Sequence, residues 1–347
     1  MQPFRYLALC LLAAVPVPAL AQTPAAAPAQ PLPTDPAALL QLAAQVNGLH
    51  GSDLKPWHIH ATWQKLDNHK HVKSQGAFEE WWAGPDQVKV DLTAPGFHQT
   101  RWITANGDAI IGDPGLPSWL FRAIWKDITV PVAAPGVLPG FHLQRFQEKQ
   151  HQAPAMDCAG LQHTDSDQPF IGKTCFTDGL PAVRFAGGDP IRTTFNSLVQ
   201  LEGKYVARDI QIRPADMPMI QINVDAADEL QPGSTTDFQP PANAVSASPW
   251  LPVPGLVPGR VVSGYSPQIS TDLRMRHVQG SVLLSLQIDK DGVVRSVEAI
   301  AGPIALQQTV IDAVKTWRYS PWTLNGTPVA AQTEFTFSME LGTTTIL

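Results

Sequence analysis

The sequence predicts an α+β protein: a curved antiparallel β-sheet with a few helices, followed by a small two-layer α/β unit. Between Pro56 and Ile212, short apolar runs alternate with period two and are broken by Gly, Pro, Asn and Asp. That pattern buries one face of an antiparallel sheet. Pro240, Pro241, Pro249, Pro252, Pro254 and Pro258 then interrupt the chain. Beyond them come two alternating strands, a helical stripe and a last alternating strand. A length of 347 residues suits two domains better than one.

Residues 1–21 read as a secretory signal. Arg5 supplies a short positive region, Tyr6 to Val15 is almost uninterruptedly apolar, and Ala19-Leu20-Ala21 gives a small-x-small site, with cleavage expected between Ala21 and Gln22. The competing reading is a retained inner-membrane anchor. The apolar run, with Pro16 and Pro18 at its end, falls short of the roughly 20 residues a spanning helix needs. A lipoprotein reading at Cys10 is weakened by the bulky Leu9 before it. The expected compartment is therefore the periplasm.

Residues 22–34 are Ala- and Pro-rich and read as an extended tether. Asp35 and Pro36 then place an N-cap and a first helical residue. Leu39, Leu40, Leu42, Ala43 and Val46 form the apolar face, and Asn47-Gly48 closes the helix. Strands follow at Trp57 to Trp63, Val88 to Leu92 and Ile210 to Ile212, with an Asn106-Gly107 hairpin between 101–103 and 109–111. Leu116 to Trp125 is a candidate second helix. The Pro-rich stretch 236–260 reads as a semi-rigid linker marking a domain boundary.

Loss of the signal would remove Cys10 and leave Cys158 and Cys175. An even pair in an exported chain is most simply one disulfide. Closing a loop of that size contributes roughly 3 kcal/mol through chain entropy. The rival, a thiol nucleophile or metal pair, is disfavoured by the wide spacing and the oxidising compartment.

The first region, 35–235, has a short amphipathic helix, then Trp57-His58-Ile59, then Gln75-Gly76-Ala77-Phe78-Glu79-Glu80-Trp81-Trp82, then Arg101-Trp102. In layout it resembles periplasmic lipoprotein-carrier domains. The resemblance implies a half-barrel of antiparallel strands lidded by helices, with an apolar cavity for acyl chains. A cavity lined by the 57–125 region would favour a lipid-carrying role; a solid core there would end that reading.

After the linker, Ser266-Pro267 opens a short helix through Met275. Gly280 to Val294 reads G-x-V-x-L-x-L-x-I-D-x-D-G-x-V. A helix over Ile304 to Trp317 places Ile304, Val310, Ile311, Val314 and Trp317 on one stripe. Ala313 to Pro321 reads A-V-x-x-W-R-Y-S-P, Asn325 to Val329 reads N-G-T-P-V, and Val329 to Leu341 alternates as a strand. In this order and spacing, residues 261–341 resemble the C-terminal domain of the TonB family. The resemblance implies two helices packed on a three-stranded antiparallel sheet. It also implies recognition of an outer-membrane TonB-dependent receptor, or another envelope protein, by addition of a partner strand to the sheet edge. The edge would be Gln332, Thr333, Glu334, Phe335, Thr336, Phe337, Ser338 and Met339, and edge pairing would also permit dimerisation. The chain departs from a full energy transducer in its cleavable-looking signal, its short uncharged tether and its additional β-rich region.

Other constellations read as structure. Asp289, Asp291 and Gly292 resemble the start of a calcium loop, yet Ile300 stands where a bidentate acid would be required, so a hairpin turn is expected. The pairs His58/His60 and His69/His71 lack supporting ligands, and no metal site is expected. Glu79 and Glu80 are adjacent strand residues pointing to opposite faces, so they cannot converge on one bond. There is no nucleophile elbow, phosphate loop or dinucleotide fingerprint. The net charge of −6, without a basic stripe, argues against nucleic acid. The sequence thus predicts a non-enzymatic, cofactor-free protein of the envelope.

Overall fold

The computed structural model describes residues 32–346 except 52, 134–135, 137–138, 151–152, 165–169, 178, 231–237, 252 and 341–342. The expected signal with Ala21 and Gln22, and residues 22–31 of the expected tether, lie outside the described residues.

Helix α1 (Pro36–Asn47) starts as its sequence dictates: Asp35 caps it by accepting from the Ala38 N–H at 2.8 Å. Its last residue, Asn47, is fully buried. The amide donates to the Ala43 and Pro181 carbonyls and accepts from the Val183 N–H, which fixes the helix end to a distant strand.

Strands β1 (Trp57–Leu66), β2 (Val72–Gly84), β3 (Gln87–Ala94), β4 (Phe97–Thr104) and β5 (Gly107–Gly112) form an antiparallel meander. Ala105 and Asn106 turn β4 into β5, whose first residue, Gly107, pairs with Thr104 and has φ +102. After α2 (Trp119–Thr129) come β6 (Phe141–Gln150), β7 (Ala153–His163), β8 (Gly172–Phe176), β9 (Val183–Gly187), β10 (Ile191–Leu201), β11 (Lys204–Pro214) and β12 (Met219–Glu229). Strand β12 returns beside β1, and β13 (Val245–Ala247) adds to β5. Among the described residues this sheet has the order β13-β5-β4-β3-β2-β1-β12-β11-β10-β9-β8-β7-β6.

One face of the curved sheet carries α1 and α2. Trp57, Ile59, Trp63, Phe78, Trp82, Val90 and Leu92 bury against Leu39, Leu120, Phe121 and Ile124. The Trp57 and Trp82 rings stack at 5.8 Å, and the Trp57 indole donates to the Leu49 carbonyl. The second helix begins three residues later than the sequence suggests, because Pro117 and Ser118 stay extended ahead of Trp119.

The Pro-rich segment is extended, as its composition requires, but it is docked. Val245 to Ala247 pair with β5, and Trp250 is fully buried. The buried Arg101 guanidinium donates to Asp108 and to the Ser248 carbonyl, and Asp108 accepts from the Trp250 N–H. A linker holding one large apolar ring gains more from packing than from hydration.

The chain continues through β14 (Leu256–Val257), β15 (Val261–Ser263), α3 (Thr271–Met275), β16 (Gly280–Ile288), β17 (Val294–Ala301), α4 (Ile304–Val314), β18 (Arg318–Tyr319), β19 (Trp322–Leu324), β20 (Thr327–Val329), β21 (Ala331–Glu340) and β22 (Thr343–Ile346). Helix α3 starts at Thr271 and not at Ser266, because the Ser270 hydroxyl caps it by accepting from the Leu273 N–H. The antiparallel sheet β17-β16-β21 carries α3 and α4 on one face, and β22 extends it by a short fourth strand. Val282, Leu284, Leu286, Phe335 and Phe337 meet Leu306, Val310, Val314 and Trp317 there. The Trp317 indole donates to the Tyr265 carbonyl at 2.8 Å and stands edge-on to Phe335.

The opposite face of this small sheet is covered as well. Leu283, Ile300 and Ala301 belong to the same apolar cluster as the large sheet. The Gly302 N–H donates to the Ala215 carbonyl, and Gln287 donates to the Leu116 carbonyl. From Leu32 onward the described chain is one compact unit holding the large sheet and the β17-β16-β21-β22 sheet.

Candidate functional site

Strand β21 is built by alternation. Phe335, Phe337 and Met339 face α3 and α4, while Gln332, Glu334, Thr336 and Ser338 face the other way. It pairs with β16 along its length, from Ala331 opposite Ile288 to Met339 opposite Gly280. On its other side, β22 pairs with Phe337 to Glu340 only. Of the eight residues expected at the edge, Phe337, Ser338 and Met339 therefore lie between two strands. Gln332, Thr333, Glu334, Phe335 and Thr336 have no strand on their outer side among the described residues.

Helix α2 reaches this open segment. Arg122 donates to the Gln332 carbonyl at 3.1 Å and to the Trp250 carbonyl at 2.8 Å. The Trp119 indole donates to the Glu334 carboxylate at 3.0 Å. In an antiparallel strand, the N–H and C=O of one residue point to the same side. The outward Gln332 carbonyl thus sets Glu334 and Thr336 as the residues presenting both main-chain groups along the open edge. Burial lowers the Arg122 pKa below the ordinary guanidinium value, and the Glu334 charge opposes that shift.

The TonB resemblance implied an edge at Gln332 to Met339 and said nothing of the contacts on the second face of that sheet. A signal was present: Val282-Leu283-Leu284 is apolar at consecutive positions, as in a strand covered on both sides. All three residues are buried.

Cys158 and Cys175 are joined across neighbouring strands β7 and β8, with Cα atoms 4.0 Å apart. The Asp289 carboxylate accepts from the Asp291 and Val293 N–H groups and from Arg295, which makes a closed hairpin turn. His58 pairs with Glu79, His60 with Asp225 and His71 with Asp67. Glu79 and Glu80 do point apart. Glu80 is fully buried beneath α2 and pairs with His50, whose ring stacks on Trp125.

The carrier-type expectation placed a cavity along 57–125, and the packing corrects it. That part of the sheet is filled by the tryptophans and phenylalanines described above. A cavity of about 550 Å³ lies at the other end of the sheet, between the helices and β6–β9. Leu40, Trp125, Leu143, Leu161, Ile171 and Ala186 line it, with Arg122, Lys126 and Lys173. Large aromatic side chains on β1 and β2 claim the space that small residues such as Ala159 and Ala186 leave open.

Residues 267–339, spanning α3 to β21, match the family described as Gram-negative bacterial TonB protein C-terminal. Residues 267–339 are thus similar to a TonB C-terminal domain. Protein TonB of Vibrio cholerae serotype O1 is 34% identical over 79 residues, which cover 22% of this chain. The match spans 31% of that relative, about a third of its length. Solved structures are also similar to this chain. A putative outer membrane lipoprotein-sorting protein domain from Vibrio parahaemolyticus is 8% identical, with a TM-score of 0.38, over 58% of this chain and 95% of that one. A LolA superfamily protein from Nitrosomonas europaea is 10% identical, with a TM-score of 0.37, over 56% of this chain and 92% of that one.

Proposed function

We propose that this chain is a non-enzymatic envelope protein whose TonB-type domain recognises an outer-membrane TonB-dependent receptor, or another envelope protein, by strand addition. Its setting would be TonB-dependent transmembrane transport. The observation that carries this reading is the outer side of β21 at Gln332 to Thr336, which has no strand partner among the described residues and lies within the stretch similar to the TonB C-terminal family. Unpaired N–H and C=O groups on a strand edge are satisfied by an extended peptide, which pairs main chain to main chain. No helix among the described residues is long and apolar enough to cross a membrane.

Hydrogen exchange tests the reading. Peptides from the N-terminal segments of the host's TonB-dependent receptors are added to the full chain, and amides 332–336 are followed. Protection at Glu334 and Thr336 is expected; unchanged exchange with every peptide would sink the proposal. Export follows the same logic: we place the mature protein in the periplasm, starting at Gln22, and intact mass measurement of periplasmic material reads that terminus directly.

A second reading, a lipid or lipoprotein carrier, loses the cavity expected along 57–125, whose core is filled, and would rest on the cavity against β6–β9 alone. Acyl chains that co-purify with the protein and vanish on filling the cavity would support it.

A further inference from the structure

The outer side of β21 is free over a short window only. At one end β22 pairs from Phe337 onward. At the other end Gln332 is only 5% exposed, and its outward carbonyl already accepts from Arg122. The four residues Thr333 to Thr336 lie between these two occupants. Strands usually run to about 5–6 residues, so the window is shorter than the strand it would receive. The occupant at Gln332 comes from outside the TonB-type domain. Arg122 belongs to α2, as does Trp119, whose indole donates to Glu334. Helix α2 is itself fixed on the large sheet by Phe121, Ile124 and Ile128, all nearly fully buried. Two bonds from one turn of one helix thus span Gln332 and Glu334, the alternate residues whose main chain faces outward. Giving them up costs two side-chain bonds, whereas displacing β22 costs the main-chain pairing of Phe337 to Glu340. Arg122 also accommodates the loss. It keeps the Trp250 carbonyl as an acceptor and has the Glu334 charge beside it.

We propose that α2 is an autoinhibitory latch on the docking edge: Arg122 and Trp119 hold Gln332 and Glu334 until an incoming strand displaces them. This rests on the docking reading above and adds its regulation. An acceptor filled by a guanidinium is withheld from a main-chain donor, because the charge-assisted bond is the stronger one. The incoming strand therefore places its own N–H on the Gln332 carbonyl only after Arg122 leaves, and it pairs onward through Glu334 and Thr336. The region ahead of the linker thereby sets the affinity of the TonB-type domain for its partner. By linkage, a change in that region that draws α2 away strengthens strand docking, and docking favours that change by the same factor.

The test compares the full mature chain with Arg122→Met and Trp119→Phe, using synthetic peptides of the N-terminal segments of the host's TonB-dependent receptors. Arg122→Met should bind the peptides about tenfold more tightly, as expected for removal of one competing charge-assisted bond. Trp119→Phe leaves the Arg122 contact to Trp250 in place and should tighten binding by a smaller factor, about threefold. In the free proteins, amide exchange at Gln332 should be about tenfold faster in Arg122→Met, with exchange in β1 unchanged as a check on global stability. Equal peptide affinity in all three proteins would overturn the latch. If exchange at Thr343 to Ile346 also rose on binding, β22 would be the element displaced. If no peptide binds any of the three, the docking reading falls. The free-protein exchange then decides whether α2 closes the edge: a faster Gln332 in Arg122→Met retains that role, and equal rates overturn it.

Discussion

The Trp119 indole donates to the Glu334 carboxylate at 3.0 Å, so the first turn of α2 is bonded to the middle of the open edge segment. Glu334 is exposed, while Trp119 is buried. The bond thus sits where a docking strand would arrive. Trp119→Phe keeps most of the apolar burial and removes the donor. The expected cost is about 1 kcal/mol, that of one hydrogen bond to a charged acceptor at a partly wet site. Hydrogen exchange at 332–336 should quicken while exchange in β1 and β12 stays unchanged. Equal rates in both proteins would mean the contact does not hold the edge.

How much of this was legible in the sequence depends on how local the signal is. Asp35 and Pro36 set the start of α1 through contacts within one turn, and Asn106-Gly107 and Asp289 to Gly292 set hairpins in the same way. The order of motifs from Gly280 to Val329 placed the TonB-type domain. Less visible was whatever depends on residues far apart. The pairing of β1 with β12 joins Trp57 to Glu229, and no local pattern encodes it. The docking of Trp250 on Asp108, and of Arg122 on Gln332, likewise needs the folded chain. The cavity was misplaced because the carrier-type layout says which strands exist, whereas side-chain volume decides where space remains.

The Asp289 turn gives a pH-dependent and a metal-dependent expectation. Partial burial raises the Asp289 pKa, but bonds from the Val293 N–H, Arg295 and the Asp291 N–H outweigh it and hold the group below its ordinary value. A carboxylate with a lower pKa in the folded chain contributes stability that is present above its unfolded pKa. That contribution is lost as the pH falls from about 3.9 through the folded pKa. Asp289→Asn should therefore be less stable than the native protein at neutral pH, and the gap should narrow as the pH of the unfolding measurement falls below about 3.9. With the carboxylate already saturated by donors, millimolar calcium should leave the melting temperature unchanged. A calcium-dependent rise would restore the ion-binding reading.

Gly292 can be examined in the same turn. Its φ is +79, and an added Cβ would collide with the Tyr319 carbonyl, whose own N–H donates to the Gly292 carbonyl. The hairpin is thereby locked to the strand that follows α4. Gly292→Ala should cost more than the ordinary penalty of about 1 kcal/mol for a left-handed alanine, because backbone must shift as well. Denaturant unfolding measures it; a cost below that figure would show that the turn relaxes freely away from Tyr319.

The disulfide and the Arg101–Asp108 pair separate two kinds of stability. Cys158 and Cys175 lie 17 residues apart, so their link acts chiefly by constraining the unfolded chain, worth roughly 3 kcal/mol. Replacing both by alanine should lower the melting temperature without altering the edge at 332–336. Arg101 and Asp108 are buried at 1% and 8% exposure and carry the Ser248 and Trp250 main chain. Burial lowers the Arg101 pKa and raises that of Asp108, and each charge opposes the shift in the other. Removing one partner strands a buried charge, so Arg101→Met should cost about 3–5 kcal/mol. Arg101→Met combined with Asp108→Leu should recover most of it, since a matched apolar pair is often neutral or better. The double variant would still lack the anchor for Ser248 and Trp250. Its exchange should therefore rise at 245–250 even where global stability returns, a result that an ion pair serving stability alone would not produce.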